Sequence, residues 1–313
     1  MYLKASQFRF PDDPARLYPG NARGPWHLEV GFGDGRFWAA QHAVEGNVNY
    51  LGVEVSGVSV LKALARYRKL GIGNAVVSRA PAEFAVRNVV PPAALARVYV
   101  NFPDPWPKTR HAEARLLRPG FLDLLSTRLR PDGELWLTTD HPEYFAFALA
   151  SAAETSLYDV ARPAPPEAAL NTKYALKWRE QGLEIHHARF SLRGVSERPY
   201  PPLEVLEMPH AILQGKLETV GEIGKRVLRD GDTTVVLLES YHQAGGLVVL
   251  ARIEEGELTQ EVLVGARARS GDEVVVGVET FGGPLITPGV RAAVGAVSGW
   301  LEERGLTVLR RSY

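Results

Sequence analysis

The sequence predicts an α/β protein with a doubly wound, mostly parallel sheet, followed by a smaller carboxy-terminal α+β module. Two observations favour this fold class. Residues 1–200 alternate short, mostly apolar runs with longer stretches of helical periodicity. Residues 205–313 instead contain apolar runs separated by glycines and acidic turns, which is typical of antiparallel strands. The chain has 313 residues, enough for two domains of ordinary size.

Five runs in the first part are mostly apolar along their length, as strands buried on both faces of a parallel sheet are. Ser56 is the expected N-cap of the second helix, and Gly71 is its expected end. The predicted strands are WHLEV (26–30), NYLGVEV (49–55), NAVV (74–77), RVYV (97–100) and ELWLTT (134–139). The predicted helices cover 36–45, 56–70, 81–89, 112–129 and 142–153.

A proline-rich, polar stretch without periodicity, SERPYPPLE (196–204), predicts the linker between the domains. Before it, GLEIHHARFSLRG is the predicted last strand of the first sheet. We therefore expect one domain over residues 1–200 and a second over 205–313. In the second, TTVVLLE, GLVVLARIE, QEVLVGARA and DEVVVGVE predict strands, a helix covers 288–304, and LTVLRR is the closing strand.

The composition excludes several kinds of site. There is no cysteine, so thiolate zinc sites, disulfides and thiol nucleophiles are excluded. No apolar run is long enough to span a membrane and the amino terminus does not resemble a signal peptide, so we expect a cytoplasmic protein without a membrane partner. His, Ser and Thr residues form no metal or triad pattern, so no catalytic metal is expected. Nothing in the sequence predicts an oligomeric state.

The net charge of zero conceals an uneven distribution. Residues 1–204 contain 25 Lys and Arg against 21 Asp and Glu, whereas residues 205–313 contain 11 against 15. An anionic partner is therefore expected to bind the first part of the chain.

Three glycines follow the first strand directly, in LEVGFGDGRF. Gly31, Gly33 and Gly35 lie in a strand-to-helix turn, where the backbone approaches a ligand closely and the helix amino terminus offers unpaired N–H groups. The dinucleotide fingerprint is not met, because the third glycine comes one residue early and the bulky Phe37 follows. A tight turn without a ligand is the alternative interpretation.

Acidic residues around this turn indicate which ligand it binds. Glu54 ends the second predicted strand, where an acid accepts both hydroxyl groups of an adenosine ribose. A dinucleotide and S-adenosylmethionine both contain that ribose. Glu29 and Asp34, beside and inside the turn, would repel a pyrophosphate but suit a sulfonium cation. The pattern therefore favours S-adenosylmethionine as cofactor.

The stretch NFPDPWPKTRH (101–111) follows the fourth predicted strand. Asn101 ends that strand over the crevice where doubly wound sheets bind ligands, so we expect it to line the cofactor site. The three prolines restrict the backbone and predict an extended conformation for Asp104 and Trp106 at the mouth of the site.

This stretch is related in shape to the (D/N)PP(Y/F) motif of methyltransferases that act on amino groups. Methylation of an amine ends in loss of a proton, whereas methylation of a ring nitrogen such as guanine N7 gives a stable cation that needs no general base. In the second case the acid holds the N–H edge of guanine and stabilises the positive charge. Asp104 is then an electrostatic and positioning residue.

Basic residues after Asp104 suit contacts to phosphate, and Trp106 and Trp136 are possible stacking surfaces. Trp136 lies in a predicted strand, so a place in the core is the alternative. Arg115 and Arg118 have the alternative of a solvated helix face. The basic residues are Lys108, Arg110, His111, Arg115 and Arg118.

Residues from about 20 to 195 resemble the bacterial tRNA (guanine-N7)-methyltransferases, class I enzymes that use S-adenosylmethionine to methylate a guanine of the tRNA variable loop. The resemblance implies a Rossmann-like fold and tRNA as partner. It implies that Glu29 and Glu54 contact the cofactor and that Asp104 is the active-site acid. It also implies that Lys108, Asp140 and Thr172 contact the substrate. The matching pieces are LEVGFGDG (28–35), GVEV (52–55), NFPDPWPKTRH (101–111), TTDHPEY (138–144) and NTKY (171–174) followed by Gly182.

Asp140 has an alternative role, because a carboxylate before His-Pro also suits a helix cap. The sequence departs from the family at two positions. Ala80 or Pro81 stands where the family has an acid near the adenine, which leaves that contact to the backbone or to Glu83. Ala175 ends what is a TxxE motif in the family.

Three alternatives to the implied activity stay open, the first of them because two family acids are absent. The chain could be an inactive protein that binds tRNA or the cofactor, a methyltransferase for another base nitrogen, or a nicotinamide enzyme.

Overall fold

The computed structural model describes residues 1–106, 114–218 and 220–313, and only the backbone of residues 178–180. The chain forms two compact units, Met1–Pro202 and Leu203–Tyr313. Within the described part of the chain, no helix combines the length and the apolar character needed to cross a lipid bilayer.

The first unit contains a seven-stranded sheet in the order β3-β2-β1-β4-β5-β7-β6. Strands β1 to β5 are parallel to one another, and β7 is antiparallel to both β5 and β6. The predicted doubly wound sheet is confirmed. The strand order reverses between β1 and β4, which is where such sheets bind ligands. The strands are β1 (Trp26–Val30), β2 (Asn49–Val53), β3 (Ala75–Ser78), β4 (Leu95–Asn101), β5 (Leu129–Thr139), β6 (Tyr158–Ala161) and β7 (His186–Leu192).

Helices cover both faces of this sheet, and several begin where the sequence predicts. Ser56 caps the third helix, since its hydroxyl accepts a hydrogen bond from the Ser59 N–H at 3.3 Å. Gly71 follows that helix with a φ of +67°, the left-handed conformation of a helix end. The helices of this unit are α1 (Pro14–Leu17), α2 (Arg36–Val44), α3 (Gly57–Lys69), α4 (Ala82–Phe84), α5 (Pro119–Ser126), α6 (Pro142–Thr155), α7 (Glu167–Leu170) and α8 (Lys173–Glu180).

Two predicted helices differ from the structure. The helix predicted over 81–89 is a single α-helical turn, α4, followed by a π-helical turn at Ala85–Val89. Within the described residues, the helix predicted over 112–129 begins only at Pro119, because Arg118 is extended with a ψ of 161°. Residues before a proline are driven out of the α region by the proline ring, which explains the late start. Strand β6 and helices α7 and α8 were not predicted.

Gly35, directly before α2, occupies a position where a side chain would be poorly tolerated. Its φ is +77°, and an added Cβ would lie 2.9 Å from both the Ala63 Cβ and the Tyr67 ring. We expect Gly35→Ala to lower the free energy of unfolding by about 2–4 kcal/mol, from left-handed strain and overpacking together. Chemical denaturation measures this, with Gly20→Ala as control because the space around Gly20 is open. Equal stability of the two variants would contradict the packing seen here.

The second unit contains an antiparallel seven-stranded sheet in the order β14-β8-β13-β12-β11-β10-β9. Helix α9 (Pro288–Glu302) packs on one face, where Val249, Val264 and Trp300 are buried. This confirms the predicted α+β fold of the carboxy-terminal module. Its strands are β8 (His210–Gln214), β9 (Arg226–Asp230), β10 (Thr233–Gln243), β11 (Gly246–Glu255), β12 (Leu258–Ala268), β13 (Glu273–Val278) and β14 (Thr307–Arg311).

Candidate functional site

The turn after β1 has the conformation that its glycines allow. Gly31, Gly33 and Gly35 have φ values of +68°, +56° and +77°, all in the left-handed region. The Gly31 N–H donates to the carbonyl of Val53 at 2.8 Å, which joins the turn to the end of β2. The three glycines therefore lie at the carboxyl edge of the sheet, directly before α2.

Glu54 joins the two loops that leave β1 and β2. Its Oε2 accepts from the Gly33 N–H at 3.0 Å, and its Oε1 accepts from the Ser56 N–H at 2.9 Å. A carboxylate oxygen has more than one lone pair, so each oxygen remains able to accept from a ribose hydroxyl. Glu54 can therefore hold both the glycine turn and a nucleoside.

Glu29 lies deeper, below the turn, with a relative exposure of 1%. Its Oε2 accepts from the Tyr50 hydroxyl at 2.6 Å, and the Tyr67 hydroxyl donates to Tyr50 at 3.4 Å. Burial raises the pKa of Glu29 to about 8 against the opposing hydrogen bond from Tyr50. The contact of Glu29 with Tyr50 was missed from sequence, because Tyr50 is one of several apolar residues in a strand and no spacing marks it.

The raised pKa of Glu29 has a testable consequence for stability. In the unfolded chain this carboxyl ionises near its ordinary pKa of 4.5, whereas in the folded protein it holds its proton up to about pH 8. The folded state therefore binds more protons in this window, and the free energy of unfolding falls as pH rises from 4.5 to 8, by at most about 1.4 kcal/mol per pH unit. Above pH 8 this contribution is constant.

Glu29→Gln removes the ionisation but keeps an oxygen for the Tyr50 hydroxyl. We expect urea denaturation of the cofactor-free variant to lack the decline between pH 5 and pH 8 that the unsubstituted protein shows. Parallel stability curves for the two proteins would show that Glu29 ionises normally.

Asp34, inside the glycine turn, has a role that the sequence interpretation did not foresee. Its carboxylate accepts from Arg36 Nε at 3.0 Å and lies 3.3 Å from Arg66 Nη2, so two guanidinium groups compensate its charge. The expectation that Asp34 attracts a sulfonium cation is therefore not supported by this arrangement. Glu29 and Glu54 are the acids at this turn that have no such cationic partner among the described residues.

The end of β3 lacks the acid that the family has near the adenine. Ala80 is buried there, and Glu83 accepts from Arg118 Nη2 at 2.5 Å, so it is engaged in an ion pair. Ser78, the last residue of β3, has a buried hydroxyl without a hydrogen-bond partner among the described residues. The backbone and Ser78 are therefore better placed than Glu83 to provide polar groups on this side.

The segment that contains Asp104 follows β4 and leaves the sheet beside the glycine turn. β4 is parallel to β1 with Val100 opposite Val30, so Asn101 and Gly31 follow at the same edge. Asp104 is exposed. Burial, and more weakly the charge of Asp104, raise the pKa of Tyr144 in the first turn of α6.

The backbone on either side of Asp104 is not uniformly extended. Phe102 and Trp106 have φ values of +52° and +42°. The expected extended conformation of Trp106 is therefore wrong, because prolines restrict φ and ψ locally but do not determine how a loop turns between packed elements. The Trp106 side chain is 42% exposed.

Asp140, on the predicted substrate side, is not the residue that caps α6. His141 is that cap, and its Nδ1 accepts from the Tyr144 N–H at 3.3 Å. Asp140 has no hydrogen-bond or ion-pair partner within the described ranges, so its carboxylate is available for a ligand. Thr172 Oγ1 accepts from the Ala175 N–H at 3.2 Å, which is a local structural contact. Lys108, Arg110 and His111 lie outside the described residues.

Trp136 belongs to the core. It is 8% exposed and lies between the guanidinium groups of Arg97 and Arg189, which are 4.2 Å and 4.3 Å from its ring. Its indole N–H donates to Glu134 at 2.7 Å. The alternative interpretation of Trp136 as a core residue is therefore the correct one, since no face of its ring is open to a base.

A cavity of about 570 Å³ lies at the opposite, amino-terminal edge of this sheet. Arg97 and Arg130 line it, but they pair with Glu45 at 2.9 Å and with Asp132 at 2.6 Å. These charges are already compensated, so this cavity does not compete with the carboxyl edge as the site. The described part of the chain contains no group of three or more His, Cys, Asp or Glu residues that suits a metal ion.

Sequence comparisons with known proteins identify the family of this chain. Residues 23–188 match a family model described as "Putative methyltransferase". The chain is 48% identical to the tRNA (guanine-N(7)-)-methyltransferase of Deinococcus radiodurans, over 100% of both chains. It is 44% identical to that of Thermus thermophilus, over 99% of both. Among solved structures, the 16S rRNA methyltransferase KamB is 15% identical with a TM-score of 0.43, covering 57% of this chain and 92% of that one. The chain therefore belongs to the tRNA (guanine-N(7)-)-methyltransferase family.

Proposed function

We propose that this protein transfers the methyl group of S-adenosylmethionine to N7 of a guanine in the variable loop of tRNA. The observation that carries the proposal is the pairing of β1 with β4, because it brings the glycine turn and the Asp104 segment to the same edge of the sheet. Full-length similarity to enzymes of this name supports it. Since tRNA is the substrate, we expect the protein to act in the cytoplasm.

The cofactor would lie across the ends of β1 and β2. The glycine turn lets the backbone approach its methionine part, and Glu54 accepts from the ribose hydroxyl groups. Asn101, at the end of β4, lines the same crevice. Glu29 is the nearby buried acid whose charge suits a cationic ligand, and ionisation of Glu29 would accompany binding of the cation. When bound, the cofactor supplies an electrophilic methyl group.

Asp104 then acts on the guanine. The N7 lone pair forms the new bond to the methyl carbon, and the electron pair of the broken carbon–sulfur bond stays on sulfur. No proton leaves, because the product is a stable purine cation. A carboxylate that holds the N–H edge of guanine both aligns the reacting atoms and stabilises the positive charge that develops on the ring.

We propose that the remaining predicted residues contact the tRNA. Asp140, at the end of β5 and one strand beyond Asp104, has a carboxylate without a partner among the described residues, and we propose that it contacts the tRNA. Lys108 and Arg110 follow Asp104 closely in sequence, so we propose that they contact phosphates. Thr172 is proposed as a substrate contact, although its hydroxyl already accepts from a backbone N–H of α8.

Lys108→Ala is expected to weaken tRNA binding and to reduce the slope of log affinity against log salt by about one. The reason is the loss of one phosphate contact and of the counterions that it releases. Filter binding between low and moderate salt measures the slope, with Lys69→Ala, an exposed lysine at the end of α3, as matched control. An unchanged slope would remove Lys108 from the tRNA interface.

A second candidate function rests on the two family acids that are absent. Ala80 is buried where the adenine-side acid is expected, and Ala175 is fully buried where a substrate-side acid is expected. A protein with this site could bind tRNA and the cofactor without transferring the methyl group.

The deciding experiment is methyl transfer from labelled S-adenosylmethionine to unmodified tRNA, followed by nucleoside analysis and mapping of the modified position. We expect 7-methylguanosine in the variable loop. Another methylated nucleoside would indicate a different base nitrogen, and binding of tRNA without any transfer would establish the second candidate.

A further inference from the structure

The segment that presents Asp104 has few backbone N–H donors with which to fix its own position. Pro103 and Pro105 have no N–H, so the segment offers mainly carbonyl oxygens to its surroundings. Acceptors of this kind need donors from another part of the chain. A guanidinium group suits them, because it carries only donors and arranges them in a rigid fork.

Arg115 provides that fork. Its Nε donates to the Pro105 carbonyl at 3.1 Å, and its Nη2 donates to the Trp106 carbonyl at 3.2 Å. The two acceptors are the residues directly after Asp104. The guanidinium also lies 4.9 Å from the centre of the Phe147 ring, which belongs to α6. Arg115 therefore connects the Asp104 segment to α6.

The backbone conformation indicates why such a connection is needed. Phe102 and Trp106, on either side of Asp104, both have positive φ values, which side chains with a Cβ rarely adopt. Strained residues persist only where their surroundings hold them. The Phe102 N–H donates to the Thr138 carbonyl of β5 at 2.7 Å, which fixes the first end. Arg115 fixes the second end.

We propose that Arg115 is a positioning residue for methyl transfer: it holds the Pro105 and Trp106 carbonyls and thereby directs the Asp104 carboxylate at the guanine. This inference rests on the proposed function of Asp104. It differs from the role that the sequence suggested, a contact between Arg115 and a tRNA phosphate. The two roles predict different measurements, because a phosphate contact changes affinity and its salt dependence, whereas a positioning contact changes the rate of the chemical step.

The experiment uses the full chain with Arg115→Lys and Arg115→Ala. Lysine keeps the positive charge but lacks the planar fork. We expect both variants to lower kcat by about 10- to 100-fold, as misplacement of a catalytic group by roughly 1 Å does. Affinity for S-adenosylmethionine and the salt dependence of tRNA affinity are expected to stay unchanged. Added guanidinium ion is expected to restore part of the activity of Arg115→Ala. The control is Arg193→Ala, at an exposed arginine directly after β7, and guanidinium ion is expected to leave its activity unchanged.

A second readout does not depend on activity. Amide hydrogen exchange of the Phe102 N–H, which donates to the Thr138 carbonyl, is followed in peptides that cover residues 101–106 and is expected to accelerate in both Arg115 variants and not in Arg193→Ala. This measurement stays informative even if the unsubstituted protein fails to methylate tRNA, so failure of the proposed function and failure of this inference are distinguishable.

Two results would overturn the inference. One is unchanged kcat and unchanged exchange in Arg115→Ala. The other is a normal kcat with weakened tRNA binding and a smaller salt slope in Arg115→Ala but not in Arg115→Lys, which would identify Arg115 as a phosphate contact.

Discussion

Asp104→Asn is expected to lower kcat for guanine methylation by about 100- to 1000-fold, the usual cost of removing one preorganised electrostatic group. Asparagine has nearly the same shape and keeps one acceptor oxygen, so the loss reports the negative charge rather than packing. Asp104 is exposed, which makes a folding defect a minor concern. Single-turnover kinetics with saturating tRNA and cofactor measures the effect.

Binding of both substrates serves as the internal control for Asp104→Asn. If the acid acts mainly after binding, the Kd for tRNA changes by less than about threefold, since asparagine keeps an acceptor for the guanine and phosphate contacts dominate the affinity for tRNA. Asp132→Asn, at an exposed carboxylate on β5, is the matched control and is expected to keep full activity. Full activity of Asp104→Asn would refute the role given to this acid.

Glu54→Ala is expected to weaken binding of S-adenosylmethionine by about 100-fold or more. The substitution removes the acceptors for the ribose hydroxyl groups and also the two bonds that Glu54 accepts from the Gly33 and Ser56 N–H groups. A hydrogen bond to a charged group contributes about 1.5–3 kcal/mol, so the loss of one or two such bonds accounts for this range. Isothermal titration with the cofactor alone measures it.

Glu54→Gln distinguishes the two contributions to this effect. Glutamine keeps one acceptor oxygen, so it holds one of the two loops but loses the charge. An intermediate affinity is expected. An affinity equal to that of the unsubstituted protein in both variants would show that the ribose lies elsewhere.

Much of the first unit was predictable from local pattern. The five parallel strands are apolar along their length because both faces of the sheet are covered. A run of consecutive apolar residues can be recognised directly in the sequence. The glycine turn is also local, since three positive φ values within five residues require glycine whatever surrounds them. The cap at Ser56 and the helix end at Gly71 follow from the chemistry of single residues.

Other features depended on contacts that sequence does not display. Asp34 looked like a group for binding a cation, but Arg66, on α3, lies against it and compensates its charge. A helix cap was the alternative role for Asp140, but the neighbouring His141 takes that role. In the first case a residue distant in sequence supplies the partner, and in the second case the adjacent residue takes the cap position.

The sequence alone determined the fold class and the chemistry of the segments that line the carboxyl edge, because strand periodicity, glycine turns and proline restriction act over a few consecutive bonds. Only the tertiary structure decided which acids lack a cationic partner among the described residues, that Trp136 is enclosed by Arg97 and Arg189, and that Arg115 holds the carbonyls after Asp104. These pairings join residues from different strands and helices. Their energies depend on distance and burial, which exist only once the chain has folded.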